Sequence, residues 1–172
     1  MAEKITLAAL NDLAPADFTQ IIGPVFEHSP WIAEKTFSQK PFSTFETLHR
    51  ALCDTVKTAG VEKQLALIRA HPDLVGRLAL AGQLTRESTR EQASAGLNQL
   101  SPAEVAWFQK QNTAYQAKFG FPFVICARLN KKTAILNGFE VRLANSYEAE
   151  MAAALAEIFK IAELRLCDLI SD

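Results

Sequence analysis

His71-Pro72-Asp73-Leu74-Val75-Gly76 sets an imidazole at a break between two helical patterns. Further on, Ser88-Thr89-Arg90-Glu91-Gln92 places a hydroxyl, a carboxylate and an amide within little more than one helical turn. An imidazole titrates near neutral pH and can move a proton as general acid or base. A carboxylate beside it would raise its basicity and fix its tautomer. Ser88 and Gln92 can hold a polar substrate through hydrogen bonds. Each group also has a purely structural alternative. His71 can be a helix-end histidine favoured by the C-terminal dipole, and Ser88-x-x-Glu91 is also a capping box. Two features weigh toward chemistry. His71 lies in the break and belongs to no continuing helical stripe. Ala93, Ala95 and Gly96 are small enough to leave room for a ligand or another backbone.

Other candidates are less specific. Arg165 lies amid Ile161, Leu164, Leu166 and Leu169. Either its head reaches water over an apolar stem or its fork clamps a carboxylate; both remain open. Val25-Phe26-Glu27-His28-Ser29-Pro30-Trp31 reads mainly as core, with Glu27 and His28 as candidates for supporting a site from behind. Lys131-Lys132, Arg86 and Arg90 read as solvated charge.

The elements that must position these groups are helical. Helices are expected at Pro15 to Ile22, around Trp31 to Glu34, and after a capping box at Ser43-Thr44-Phe45-Glu46. The helix after that box shows a buried stripe of Phe45, Leu48, Leu52, Val56 and Ala59. Gly60 closes it, and the next helix turns Val61, Leu65, Leu67 and Ile68 inward. Pro72 disfavours helical dihedrals at His71, so that helix ends near Arg69–Ala70. Asp73 to Leu84 is helical or irregular, and Ser88 starts a helix to about Gly96. Ser101-Pro102-Ala103-Glu104 launches another, with Val105, Phe108, Asn112, Tyr115 and Phe119 on one side and Gly120 as its stop. Thr133 to Asn145 and Tyr147 to Leu169 complete the set, the latter with Leu155, Ile158, Phe159, Ala162, Leu166 and Leu169 as its core face. Phe121-Pro122-Phe123-Val124-Ile125-Cys126-Ala127 alone reads as extended. It is too short and solitary for a sheet, so it is expected as a buried connector whose backbone must find partners. The fold class is therefore all-α, a single-domain helical bundle over residues 1–172 with one buried extended connector near 121–127.

At 172 residues, 49% hydrophobic and 22% charged, the chain is an ordinary soluble globular protein. A net charge of −1 gives no electrostatic reason to bind nucleic acid or an anionic membrane. No apolar run is long enough to span a membrane. Met1-Ala2-Glu3-Lys4-Ile5 has no signal-peptide core, and Leu169-Ile170-Ser171-Asp172 is not a peroxisomal address, so the expected location is the cytoplasm. Cys53, Cys126 and Cys167 are scattered and read as small buried hydrophobes in a reducing compartment. His28, His49 and His71 fall in no metal-ligand spacing, and no metal is expected.

Five segments in order resemble the 2-oxo-4-hydroxy-4-carboxy-5-ureidoimidazoline (OHCU) decarboxylase family. They are Val25 to Trp31, His71 to Gly76, Ser88-x-x-Glu91-Gln92-x-x-Ala95-Gly96-Leu97, Phe119 to Ile125, and Lys160 to Leu166. The resemblance implies an all-helical, cofactor-free decarboxylase, commonly a homodimer, acting on a small ureidoimidazoline and releasing (S)-allantoin. It implies that His71 is the catalytic acid/base and that Glu91 assists it. It further implies that Pro72, Ser88, Gln92 and the segment Phe123, Val124, Ile125, Cys126 and Ala127 hold substrate, with Arg165, or the nearby Arg142, as the substrate-binding arginine. The alternative is a non-catalytic helical binding module for a polar heterocycle. A purely structural helical domain would place His71 and Glu91 on unrelated surfaces.

Overall fold

The computed structural model describes residues 4–171, without the side chains at 77 and 78. Met1, Ala2, Glu3 and Asp172, read above for targeting signals, lie outside the described residues. The chain is predominantly helical and forms two compact units. One runs to Ala70 and resumes at Phe159; the other spans His71–Ile158.

The first unit opens with β1 (Ile5–Thr6), which pairs in parallel with β2 (Ile170–Ser171), Ile5 opposite Ile170. A two-residue pair carries no alternation for a sequence pattern to reveal. Thr6 caps α1 (Leu7–Asp12), its hydroxyl accepting from the Ala9 N–H at 3.2 Å. In α2 (Pro15–Ile22) the proline occupies the first turn, where its missing N–H has no intrahelical partner to lose. A 3₁₀ turn, Gly23–Val25, follows and leads to α3 (Trp31–Thr36).

Next comes α4 (Phe45–Lys57), which does not start on the expected Ser43–Glu46 box. Thr44 is the cap instead: its hydroxyl accepts from the Thr47 N–H, while its own N–H donates to the Thr47 hydroxyl at 3.0 Å. Two neighbouring hydroxyl residues offer the same chemistry, and helix phase selects the second. Leu48, Leu52 and Val56 are fully buried, as the stripe requires, whereas Ala59 lies past the helix end. In α5 (Val61–Ala70), Leu67 and Ile68 face inward, but Val61 is 62% exposed, correcting its core assignment. The helix ends where Pro72 demands. Cys53 and Cys126 are buried as expected; Cys167 is exposed.

The second unit contains α6 (Arg77–Leu80), α7 (Arg86–Ser94), α8 (Pro102–Phe119), a 3₁₀ turn at Ala127–Leu129 and α9 (Lys132–Leu143). The helix α10 (Tyr147–Leu169) contributes its residues up to Ile158 here and the remainder to the first unit. The start of α8 is the box read from sequence, with the Ser101 N–H donating to Glu104 Oε2 at 2.8 Å. Gly120 ends the helix at φ +70°, a left-handed conformation that glycine adopts without a Cβ penalty.

Phe121 and Phe123 are fully buried in the extended connector, as expected. Phe123 stacks on Phe139 with ring centroids 3.9 Å apart. Gly138 permits this approach, since a Cβ there would sit 3.3 Å from Phe123 Cζ. The connector has no sheet partner, so side chains take its backbone groups. Arg142 donates to the Val124 carbonyl, and the Cys126 N–H donates to Glu157 Oε2 at 2.8 Å.

Lys132, expected to be solvated, donates to Glu104 instead. That ammonium and the Ser101 N–H lower the Glu104 carboxyl to about 2 from its usual 4.5. The stabilisation this gives is complete above the unfolded value and is lost as pH falls through the folded one. Glu104→Gln should therefore melt below the parent protein at pH 7, with the difference closing between pH 4.5 and about 2. High salt should also narrow the gap, because the pair is partly exposed. Thermal denaturation followed by circular dichroism across that range checks this; a gap independent of pH would show that the charge plays no part.

Candidate active site

His71 begins the second unit and is 7% exposed. Its loop closes on itself through a turn in which the Gly76 N–H donates to the Asp73 carbonyl at 3.2 Å. The turn is tight: a Cβ on Gly76 would lie 2.6 Å from Asp73 Cβ. Inside it, Val75 has φ +51°. A β-branched residue in that left-handed region is strained by roughly 1–3 kcal/mol and persists only where the surroundings over-determine it. Burial pushes the Asp73 carboxyl up, partly offset by Gln116.

Two helices supply that determination. From α7, Gln92 Oε1 accepts the Val75 N–H at 3.1 Å. From α8, Asn112 Nδ2 donates to the Leu74 carbonyl at 2.9 Å. Both side chains are buried. The chemistry of the peptide assigns both amides. An N–H can only donate, so Gln92 must turn its oxygen to Val75; a carbonyl can only accept, so Asn112 must turn its nitrogen to Leu74.

The start of α7 decides a question left open by sequence. Thr85, not Ser88, is the N-cap, and its hydroxyl accepts from the Ser88 N–H at 3.2 Å. Ser88 is the third residue of the helix, so a Ser88–Glu91 capping box does not form. Ser88 and Gln92, four residues apart, share the buried face, and Glu91 lies beside them half-buried. The other side of the region is the connector, because α7 packs against the turn Ala127–Leu129. The Cys126 thiol registers this proximity: burial pushes it up, and the carboxylates of Glu157 and Glu91 push the same way. Phe123, Val124, Cys126 and Ala127 are buried, and Ile125 and Pro72 are half-buried.

The second unit thus brings together the His71 loop, Ser88, Glu91, Gln92 and the 123–127 segment through α7. A groove of about 740 Å³ also opens beside the loop, lined by Asp73, Gly76, Leu80, Gln109, Asn112 and Gln116 among others. Arg142 is committed within this unit. It donates to the Val124 carbonyl and to Glu150 Oε1, and its guanidinium lies 4.5 Å from the Phe123 ring centre.

Arg165 belongs to the first unit, where it is 4% exposed, so the solvent-reaching alternative is overturned. It donates to Glu27 Oε2 at 3.0 Å and, more weakly, to the Pro24 carbonyl. Glu27, expected only as a supporting group, is therefore the partner of a buried guanidinium. Asn112 and Glu157 had no assigned role in the sequence reading. An amide in the otherwise apolar stripe Phe108, Tyr115, Phe119 was the available signal for Asn112. Nothing local marked Glu157.

The OHCU decarboxylase family model matches residues 11–167 of the chain. A curated relative from Halalkalicoccus jeotgali, named 2-oxo-4-hydroxy-4-carboxy-5-ureidoimidazoline decarboxylase, is 42% identical over 166 residues, covering 96% of this chain and 92% of its own. A crystal structure of (S)-allantoin synthase superposes with a TM-score of 0.78 at 27% identity, covering 96% of this chain and 54% of that one. A crystal structure of OHCU decarboxylase in the presence of (S)-allantoin gives 0.66 at 25% identity, covering 83% and 92%.

The Arg165–Glu27 pair should behave as a coupled buried unit. Arg165→Met takes the guanidinium from the buried Glu27 carboxylate and should cost about 3–5 kcal/mol. Adding Glu27→Gln to that variant should recover a large part of the loss. Urea unfolding of the single and double variants measures this, and additive losses would show that the two side chains are not coupled.

Proposed function

We propose, from the premise that this chain belongs to the OHCU decarboxylase family, that it is a carboxy-lyase converting 2-oxo-4-hydroxy-4-carboxy-5-ureidoimidazoline to (S)-allantoin in urate breakdown, with no cofactor. Residues 1–172 act as one OHCU decarboxylase-like domain, a homodimer in the cytoplasm. Among the described residues no helix is long and apolar enough to cross a membrane. The observation that carries the assignment of roles is the Gln92–Val75 bond, which fastens the helix of Ser88 and Glu91 to the loop of His71.

The substrate explains why side chains suffice. Its C4 bears both hydroxyl and carboxylate, next to a C=N at the ureido-bearing C5. When the C4–carboxylate bond breaks, its electron pair forms a C4=C5 bond, and the C=N pair moves to nitrogen, which takes a proton. The resulting enol loses its O–H proton as C4 becomes a carbonyl, while C5 gains a proton. One proton is consumed for each CO₂ released.

His71 serves the proton transfers at the C4 hydroxyl or at C5, and delivery on one face of C5 gives one enantiomer. Glu91 orients the imidazole and supports its charged form. Gln92, with its oxygen spent on Val75, offers its NH₂ to a substrate oxygen. Ser88 and the backbone of Phe123 to Ala127 complete the polar contacts, Pro72 lines the site, and Arg165 takes the role of substrate-binding arginine that the resemblance implies. Cys126 contributes an N–H only where substrate displaces Glu157. Enclosure then makes each of these dipoles count for more than in water.

Freshly prepared OHCU followed by circular dichroism of the allantoin formed tests the reading. The parent protein should accelerate (S)-allantoin formation, and His71→Ala should lose about 10²–10⁴-fold in kcat while keeping its helical spectrum. Glu91→Gln should also lose turnover, and Arg165→Lys should raise KM. Full activity in His71→Ala would remove the proton-transfer role. Binding of allantoin without any acceleration by the parent protein would identify a binding module instead. Sedimentation at one chain mass would overturn the homodimer.

A further inference from the structure

We infer that Asn112 is a positioning residue for His71, acting through the Leu74–Val75 peptide. The inference rests on the reading of His71 as the proton-transfer group. The Leu74 carbonyl and the Val75 N–H belong to one planar peptide unit, and they point in opposite directions. Asn112 holds the first at 2.9 Å and Gln92 holds the second at 3.1 Å. A planar unit bonded at both ends by buried side chains from two different helices has its orientation fixed. That fixes the far end of a short loop whose near end is the imidazole. Pro72 restricts the intervening dihedrals, and the Asp73–Gly76 turn closes the remainder.

The composition of α8 argues that packing alone does not call for an amide at this position. Asn112 is 6% exposed and shares its face with Phe108, Tyr115 and Phe119. Its Oδ1 is buried with no hydrogen-bond partner. A leucine there would remove that orphan oxygen and leave the Leu74 carbonyl unpartnered in exchange, so the balance of buried unpaired groups would barely change. What leucine cannot do is orient the peptide. The left-handed Val75 would then be held from one side only, and the loop could relax away from the α7 carboxylate.

The test combines kinetics with a readout that a merely structural role would not move. Asn112→Leu should keep the parent's helical spectrum and melt within a few degrees of it. Its kcat should fall about 10- to 100-fold, the scale of an ångström-level displacement of a catalytic group, with KM within about threefold of the parent. In spectra of protein labelled with ¹⁵N-histidine, the His71 ring signals should broaden or split, while those of His28 and His49, which lie in the other unit, stay put. Parent-like kcat together with parent-like His71 signals would overturn the inference, and so would shifts spread evenly over all three histidines. The His71→Ala control separates the two claims: full activity there sinks the reading of His71, whereas an inactive His71→Ala beside a fully active Asn112→Leu sinks only the positioning role. If Asn112→Leu fails to fold, hydrogen exchange on the parent protein decides. A Val75 amide exchanging as in an open loop would show that no clamp exists, and strong protection would support it.

Discussion

One peptide plane organises the second unit. The backbone between Leu74 and Val75 carries a donor and an acceptor in a loop that belongs to no helix or sheet, and the valine on its far side is left-handed. Left to itself, such a loop would relax. It is held because α7 supplies an acceptor and α8 a donor, both from inside the protein, where an unmade hydrogen bond is expensive. The Gln92 bond also anchors α7 to the loop. Glu91 is carried by that helix, which the Gln92 bond ties to the loop of His71.

The extended connector meets the same requirement differently. Its buried backbone has no neighbouring strand, so Arg142 takes the Val124 carbonyl, Glu157 takes the Cys126 N–H, and Asn130 takes the Cys126 carbonyl. Arg142 is anchored in turn by Glu150, a fully buried carboxylate that also accepts from Tyr115 and Asn145. Burying that charge is tolerable because its lone pairs are filled. Burial and the adjacent carboxylate both push the Tyr115 phenol up, which keeps it a donor. Around this cluster the rings of Phe119, Phe121, Phe123 and Phe139 pack edge-on, tilted or stacked against one another and Tyr115. The 123–127 segment is therefore held by side-chain bonds and ring packing although most of it has no regular structure.

Much of this was legible before any coordinates. Pro15, the Ser101–Glu104 box, Gly120 and Pro72 mark real boundaries, because each acts within a few residues of itself. The errors arise where local chemistry is degenerate. Ser88 and Thr85 both offer a capping hydroxyl, and the choice falls on Thr85, the phase that turns Ser88 and Gln92 inward. Thr44 displaces Ser43 for the same kind of reason. Val61 is apolar and in the expected phase, yet as the first residue of its helix it has no neighbouring turn to pack beneath. The β1–β2 pair joins the two ends of the described chain and is invisible to any window.

Of the candidate site, His71, Ser88, Glu91 and Gln92 were visible as residue types and spacing, but their partners were not. Periodicity reports which face a residue shares, and a buried charge on that face looks the same as an exposed one. Asn112 lies 38 residues from Leu74, Glu157 lies 31 from Cys126, and Glu27 lies 138 from Arg165. A buried polar side chain must nevertheless have a partner, and regular helices have already used their own backbone groups. The partners are therefore to be sought where the chain leaves a helix, and here the breaks are the His71 loop and the 121–127 connector. Read in that direction, an amide among the aromatic residues of α8 points to an irregular segment that needs holding. The helix break at His71 and the amide buried against its loop are consequences of the same unsatisfied backbone.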